Sequence, residues 1–352
     1  MKLFLAKPTF FMMHKVITFG EILGRFSPPN NLRFSQATSF EVIYGGGEFN
    51  VAASLANYGA NAEFVTAIPI NAIGDCAMNT IRSFGVGHKH ILRQGKRLGL
   101  YFLENGASGR NSAVVYDRDD SAISQIKKGD IDWDKVLDGA TWFHWSGITP
   151  ALSENAAEVC LEGIKAAKSK GLIISTDLNY RKKLWNYGKS PKEVMPELLS
   201  YSNVILGDVD TALFMLGEKK IDPDYTVDVD AKKSFAKIHK MLPNLETMAM
   251  TYRNSLNASH QIIGGLLYNK GDMYRARLNE ITPVVDRVGT GDAFMGGLIY
   301  GLIEYADDLE KAIAFATGAC VIKHTIFGDV NRASKEEVLN FIASDGSAKV
   351  DR

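Results

Sequence analysis

Beyond about residue 120, short apolar runs alternate along the chain with longer stretches of helical periodicity. Residues 141–145 have the pattern of a strand, a helix follows that Ser153 caps, and residues 172–176 have the pattern of the next strand. Strands that alternate with helices pair in parallel, because each helix carries the chain back across the sheet. The sequence therefore predicts an α/β protein with a mainly parallel sheet covered by helices.

The first third of the chain carries a second set of strand patterns. Residues 31–44, 98–103 and 112–116 are rich in aromatic and β-branched side chains and alternate loosely in polarity. They flank a helical stretch at residues 48–58, which favours a separate small sheet lying over the main domain. We expect this sheet, built from about residues 31–46 and 96–119, to act as a lid.

The 352 residues suit either two domains of ordinary size or one large α/β domain with an inserted piece. We expect one domain over residues 14–345, preceded by an N-terminal extension over residues 1–13. Lys7 and Pro8 interrupt the apolar run of that extension and no small-residue cleavage site follows, so it lacks the features of a signal peptide. No segment approaches the roughly 18 apolar residues that a membrane-spanning helix needs.

Charge and cysteine usage argue against several classes of protein. The 40 Lys and Arg residues balance 40 Asp and Glu residues, and no long basic run occurs, which argues against a nucleic-acid partner. The three cysteines, Cys76, Cys160 and Cys320, stand far apart without a Cys-x-x-Cys pair. This usage is typical of reduced intracellular proteins, so we expect a cytoplasmic location and no membrane partner.

The segment most informative about chemistry is DRVGTGDAF at residues 286–294, which a helical pattern follows. Its glycines allow a tight turn whose N–H groups point at one spot, and the helix dipole adds roughly half a positive charge there. We expect Gly289, Thr290 and Gly291 to form an anion cradle, with Asp292 beside it as proton acceptor for a hydroxyl group. The alternative is an ordinary aspartate that the dipole favours. We find no P-loop and no dinucleotide fingerprint, which weakens those readings.

A second glycine-rich segment, GGGEFN at residues 45–50, follows a strand pattern and precedes a helical one. At Gly46 the backbone can approach a polyol closely, and the Asn50 amide offers both a donor and an acceptor. Taken alone, the segment also fits a tight turn without any ligand.

Together these segments resemble the signatures of the PfkB, or ribokinase-like, family of carbohydrate kinases, over about residues 14–340. The resemblance implies a three-layer α/β/α fold with a mainly parallel central sheet and a small β-sheet lid, and it implies ATP and Mg²⁺ as cofactors. Two positions depart from the second motif: Arg287 stands where Thr or Ser is usual, and Thr290 where Ala is usual. Both changes leave the backbone N–H donors in place.

Four longer strings, LGLYFLE, VVYDRDDSA, SGITPAL and DLNYRKKLW, are similar to the 2-keto-3-deoxygluconate kinase branch of that family. This likeness implies that a sugar acid is surrounded by Gly46, Tyr101, Tyr116, Arg118 and Arg181. Guanidinium groups bind carboxylates through charge-assisted hydrogen bonds, so two arginines at a sugar pocket favour an acid substrate. The alternative is that Arg118 is a surface residue of the lid and Arg181 an ATP-phosphate contact.

For the nucleotide, the resemblance implies that Asn179 faces the phosphates. The family's Asn-x-x-Glu motif, which organises magnesium, is altered here: Asp208 replaces the Asn and Thr211 the Glu. Asp210 is the substitute we expect to hold Mg²⁺, through water, since hard oxygen ligands suit that ion. Arg253 lies where relatives have a glycine-containing loop, and it either reaches the ATP phosphates or points to solvent.

These observations predict ATP-dependent phosphorylation of a sugar-acid hydroxyl, with 2-keto-3-deoxygluconate converted to its 6-phosphate. One alternative is a kinase of the same family for a neutral sugar such as fructose or ribose, or for a nucleoside. Another is a non-catalytic sugar-binding regulator, which the altered magnesium motif suggests. We also expect copies of the chain to associate through the lid sheet.

Overall fold

The computed structural model describes residues 14–221, 223–226 and 228–344. The extension expected over residues 1–13 lies outside these described residues. Within them the strands are, in chain order, β1 (Lys15–Phe19), β2 (Leu23–Ser27), β3 (Glu41–Gly45), β4 (Asn61–Val65), β5 (Ala67–Ile68), β6 (Leu92–Arg93), β7 (Gly99–Glu104), β8 (Ala113–Asp117), β9 (Trp142–Ser146), β10 (Ile173–Asp177), β11 (Val204–Leu206), β12 (Thr247–Asn257), β13 (His260–Asn269), β14 (Asp272–Arg275) and β15 (Asn279–Ile281). The helices are α1 (Gly47–Asn57), α2 (Ala72–Ser83), α3 (Trp133–Val136), α4 (Thr149–Leu152), α5 (Glu154–Ser169), α6 (Pro191–Leu199), α7 (Val209–Met215), α8 (Asp228–Met241), α9 (Thr290–Glu304), α10 (Leu309–Lys323) and α11 (Lys335–Ala343). None of these helices has both the length and the apolar character needed to cross a bilayer.

A large central sheet runs in the order β14-β13-β12-β11-β10-β9-β1-β4, with β15 paired to β13. From β12 to β4 neighbouring strands are parallel, and only the edge around β13 is antiparallel. The prediction of a mainly parallel sheet is confirmed. Because parallel strands share one direction, their carboxyl ends all lie along the same edge of the sheet, where ligands of such folds bind.

Helices cover both faces of the central sheet. Side chains along a strand alternate between its faces, so Val16 packs into one core with α1, α2, α9 and α10, whereas Ile17 packs into the other with α5, α6, α7 and α8. Burying each large apolar side chain contributes about 1.5–3 kcal/mol. The two cores give the three-layer α/β/α arrangement.

A smaller sheet with the order β3-β2-β7-β8 lies beside the carboxyl edge of the large one. The prediction of a strand over residues 31–44 is wrong for residues 31–40, because β3 begins only at Glu41. Short 3-10 turns lie before it, at Pro29–Asn31 and Phe34–Gln36. Asn30 and Asn31 adopt left-handed backbone angles there, which ends any extended strand. Sequence analysis missed β2, because it is buried on both faces and shows no alternation.

The hairpin of β12 and β13 extends further than its apolar pattern indicates. Arg253 lies within β12, opposite Ile263 of β13, and not in a loop as expected. The buried part of β12 covers only its first four residues, and the polar remainder is held as a strand by pairing with the more apolar β13. This extension carries Arg253 toward the carboxyl edge of the sheet.

Candidate active site

A cavity of about 630 Å³ lies between the carboxyl edge of the central sheet and the inner face of the small sheet. Its volume is within the range of small-molecule sites. Most of the predicted site residues line it, namely Gly46, Asn50, Tyr101, Tyr116, Arg118, Asn179, Arg181, Arg253, Gly289, Thr290, Gly291 and Asp292. Two predicted residues, Asp208 and Asp210, do not.

The turn before α9 has the conformation that the glycine motif requires. Gly289 has a φ of 75°, in the left-handed region, and a Cβ at this position would lie 1.7 Å from the carbonyl oxygen of Asp329. Only glycine fits there. The first N–H groups of a helix have no partner within the helix and lie at its positive end. Residues 290–292 therefore present N–H donors to the cavity, as an anion cradle requires.

Asp292 lies in the first turn of α9, and a neighbouring amide holds its carboxylate. Asn50 Nδ2 donates to Asp292 Oδ2 at 2.7 Å, while Asn50 Oδ1 accepts from the N–H of Gly46 at 3.2 Å. Burial raises the pKa of Asp292 to about 6, against the opposing effects of the Asn50 hydrogen bond and of the positive charge on Arg181. At neutral pH Asp292 is therefore mostly ionised and can accept a proton.

Two further carboxyl groups that sequence analysis gave no role lie close to Asp292. Glu48 is only 1% exposed, and its Oε1 accepts from the hydroxyls of Ser146 at 2.6 Å and Thr149 at 3.0 Å. Burial raises the pKa of Glu48 to about 7. Burial and the negative charge of Asp292 raise the pKa of Asp177 to about 7 as well. The sequence indicated these acids only by their positions: Glu48 follows the glycine-rich turn, and Asp177 ends a strand.

Three arginines face the cavity without a carboxylate partner among the residues that the structure describes. Arg181, Arg253 and Arg287 form no ion pair within 4.0 Å in those ranges. Arg253 Nη2 donates to Thr290 Oγ1 at 3.2 Å, which holds it at the cradle. Unmatched guanidinium groups give this wall of the cavity a positive potential that suits anionic ligands.

Arg118 is placed differently from the other arginines of the cavity. It is 5% exposed, so the alternative of a surface residue on the lid is wrong. Its Nε donates to Glu21 Oε2 at 2.9 Å, its Nη2 contacts the same oxygen, and its guanidinium lies 5.5 Å from the ring centre of Tyr116. Glu21 therefore already balances the charge of Arg118, which leaves Arg181 as the freer cation of the two.

A buried ionic network connects the small sheet to the cradle. Arg25 of β2 is fully buried, and its Nη1 donates to Asp286 at 2.8 Å and to Asp329 at 2.7 Å. The hydroxyl of Tyr101 on β7 donates to the other oxygen of Asp329 at 2.5 Å. Asp286 in turn accepts from the N–H of Val288. Sequence analysis missed Arg25 because it did not assign β2.

The placement of Asp208 and Asp210 does not support the nucleotide and magnesium roles expected for them. Asp208 caps α7 by accepting from the N–H and the hydroxyl of Thr211, both at 2.7 Å. Asp210 Oδ1 accepts from the N–H of Ile221 at 3.1 Å. No cluster of three His, Cys, Asp or Glu side chains suited to a metal ion occurs in the described part of the chain.

Comparison with known proteins gives a consistent result. The family model described as pfkB family carbohydrate kinase matches residues 13–331. A 2-dehydro-3-deoxygalactonokinase from Haloferax volcanii is 31% identical over 341 residues, which make up 97% of this chain and 100% of that relative. A crystal structure of a 2-dehydro-3-deoxygluconokinase from Thermotoga maritima is 41% identical with a TM-score of 0.89, and the match covers 94% of this chain and 100% of that one. A probable fructokinase-2 from Arabidopsis thaliana is 24% identical over 340 residues, 93% of this chain and 95% of the relative.

Proposed function

The chain belongs to the pfkB family of carbohydrate kinases, and from this premise we propose that it transfers the terminal phosphoryl group of ATP to a hydroxyl of a sugar acid. The substrate we propose is 2-keto-3-deoxygluconate, which becomes the 6-phosphate. The observation that carries the proposal is a cavity lined by Asp292, by the glycine-rich turn before α9 and by Arg181, whose guanidinium has no carboxylate partner among the described residues. The names of the Haloferax volcanii relative and of the Thermotoga maritima structure support the same class of substrate.

The transfer step follows from these residues. The substrate hydroxyl oxygen forms a bond to the γ-phosphorus as the bond from that phosphorus to the bridging oxygen breaks, and ADP leaves with the electron pair. The hydroxyl proton passes to Asp292, and the N–H groups of residues 290–292 stabilise the charge on the transferring group. A loose transition state demands little of the base, so catalysis consists mainly of positioning and electrostatic stabilisation.

Arg181 is the residue from which we infer an acid substrate. It lines the same cavity as Asp292 and Asp177, and its positive charge lowers the pKa values of both carboxyl groups. A carboxylate of the substrate would match this charge through strong hydrogen bonds, whereas a neutral sugar would leave it unmatched. Because Glu21 holds Arg118, we assign recognition of the substrate carboxylate first to Arg181.

Magnesium is expected for a kinase, yet the residues present do not fit an ion held by the protein. The carboxylates at the altered family motif, Asp208 and Asp210, are engaged in backbone hydrogen bonds outside the cavity. Mg²⁺ commonly keeps several waters and binds through substrate phosphates. We therefore propose that Mg²⁺ enters as part of the nucleotide complex, where it would neutralise charge on the phosphates.

A coupled assay of ADP release tests the proposal with 2-keto-3-deoxygluconate, 2-keto-3-deoxygalactonate, fructose, ribose and adenosine. We expect turnover with the sugar acids and little with the others. Arg181→Leu should raise KM for the acid about 10- to 100-fold, since a hydrogen bond to a charged group contributes about 1.5–3 kcal/mol. Lys182→Leu removes the same charge from the next, exposed position and should change little. Preferred turnover of fructose would favour the alternative of a neutral-sugar kinase. If no ATP is consumed with any of these substrates, the alternative of a non-catalytic sugar-binding regulator would be favoured.

We also propose that two copies associate through the outer face of the small sheet. Tyr101 and Tyr116 face the cavity, so strand alternation places Phe102 and Val115 on the opposite face. Val115 is 53% exposed there, and the Phe102 ring lies 5.5 Å from that of Phe26. Contiguous exposed apolar side chains on one face are typical of an interface between proteins.

A further inference from the structure

Two arginines from separate elements meet at the start of α9. Arg253 comes from β12, and Arg287 from the segment that leads into the cradle; both line the cavity. The hydroxyl of Thr290 connects them, because it accepts from Arg253 Nη2 at 3.2 Å and donates to the carbonyl oxygen of Arg287 at 3.0 Å. Thr290 is 1% exposed, so this hydroxyl is a fixed point between the two residues.

The positive charges of this pair are not balanced by the residues around them. Neither guanidinium has a carboxylate within 4.0 Å in the described ranges, while nearby Asp286 and Asp329 are both bound to Arg25. Burial lowers the pKa of Arg287, and the neighbouring positive charge of Arg253 lowers it further. Holding like charges together costs free energy unless an anion lies between or beside them.

The ligand chemistry follows from the position of the pair. Residues 290–292 line the same cavity, and their N–H groups, which have no partner within the helix, suit one phosphoryl group. Two planar guanidinium groups add up to ten N–H donors in a geometry that matches the oxygens of further phosphoryl groups. Linked phosphates carry several negative charges, which two guanidinium groups without carboxylate partners can balance.

We propose that Arg253 and Arg287 form a clamp for the phosphate chain of the nucleotide, with Arg287 as a binding residue to which the sequence motif gave no role. The two guanidinium groups bind oxygens of adjacent phosphoryl groups, and the amides of the cradle bind the terminal group. Thr290 is a positioning residue that holds Arg253 against the cradle. The clamp deepens the proposed function, but it requires only a ligand with linked phosphates.

Inorganic tripolyphosphate is the probe that isolates this interaction from the nucleobase and the sugar. Calorimetric titration of the full chain should give measurable affinity for tripolyphosphate and for ATP. Arg253→Gln and Arg287→Gln should each raise Kd for both ligands about 10- to 100-fold, the effect of losing a charge-assisted hydrogen bond. The affinity for adenosine should stay unchanged. Arg93→Gln is the matched control, since Arg93 pairs with Asp75 at the surface outside the cavity.

Three results would overturn the clamp. One is wild-type affinity of Arg287→Gln for tripolyphosphate, and the second is no binding of tripolyphosphate to the unmodified chain. The third is an equal loss of adenosine affinity, because the substitution would then disturb the whole site. Thr290→Ala supplies a separate readout: KM for ATP should rise while KM for the sugar stays constant, and an unchanged KM for ATP would contradict the positioning role.

The same measurements separate this inference from the proposed function. If no sugar is phosphorylated but Arg287→Gln loses tripolyphosphate binding, the clamp stands and the kinase assignment falls. If sugar acids are phosphorylated and the arginine variants bind tripolyphosphate normally, the kinase assignment stands and the clamp falls.

Discussion

Asp292→Asn should make the protein inactive and at the same time more stable at alkaline pH. Asparagine keeps the shape of the side chain but cannot accept the hydroxyl proton, so turnover should fall about 10²- to 10⁴-fold with little change in sugar affinity. Burial raises the pKa of Asp292 from its ordinary 3.8 to about 6, so the folded protein favours the protonated form relative to the unfolded chain. Ionisation therefore costs stability, and the cost is fully present above pH 6 and disappears as the pH falls to about 4.

The size of this effect follows from the same difference in pKa. At about 1.4 kcal/mol for each pKa unit, ionised Asp292 destabilises the fold by at most about 3 kcal/mol. The side chain is partly exposed, so solvent screening reduces the expected gain of the variant to about 1–2 kcal/mol at pH 8. Thermal unfolding should give the variant a Tm about 1–3 °C above that of the unmodified protein at pH 8. The difference should shrink steadily between pH 6 and pH 4.

Asp307→Asn is the control for this measurement, because Asp307 is an exposed aspartate in the connection between α9 and α10. It should retain activity and show no comparable stabilisation at pH 8. A stability gain of Asp292→Asn that is the same at pH 8 and pH 5 would refute the linkage argument, and retained turnover would refute the assignment of the base.

Other perturbations test neighbouring features. Asn50→Ala removes a hydrogen bond that lowers the pKa of Asp292, so the acid limb of the pH–rate profile should move upward by up to about one pH unit; an unmoved limb would contradict this. Gly289→Ala places a Cβ against a backbone carbonyl, at a residue with left-handed backbone angles, and should destabilise the fold by more than about 1–3 kcal/mol. Gly291→Ala is the control, because its Cβ meets no atom within 4 Å and the variant should fold normally. Equal unfolding midpoints of the two variants in denaturant would be evidence against the strained turn. Val115→Lys should convert a dimer to a monomer in sedimentation, with the fold intact; an unchanged mass would remove the proposed interface.

Sequence alone predicted the features that depend on local pattern. The alternation after residue 120 predicted the parallel sheet, and the glycine spacing predicted the tight turn before α9 with Asp292 in its first turn, because periodicity and backbone freedom act over a few residues. The helical pattern after the second glycine-rich segment likewise predicted α1 (Gly47–Asn57). This helix brings Asn50 against Asp292 at the start of α9. For these features local propensity and tertiary structure agree.

The remaining features depend on contacts between distant parts of the chain. Arg25 lies 261 residues from Asp286 and 304 from Asp329, and nothing near any one of them in sequence indicates the other two. Glu21 lies 97 residues from Arg118, so the pairing that occupies this arginine was equally invisible. Asp208 was expected at the nucleotide because it occupies the position of the Asn in the family's motif. In the structure its side chain instead accepts from the N–H of Thr211 in its own helix.

The network around Arg25 has a mechanical consequence for how the small sheet can move. It binds β2 to Asp286 in the loop that precedes α9, and it binds both middle strands, β2 and β7, to Asp329 in the segment between α10 and α11. Unpairing a buried charge there would cost about 3–5 kcal/mol. A rigid swing of the whole sheet is therefore disfavoured. We therefore expect motion of the small sheet to be confined to its outer strands, β3 and β8, which contribute no residue to this network.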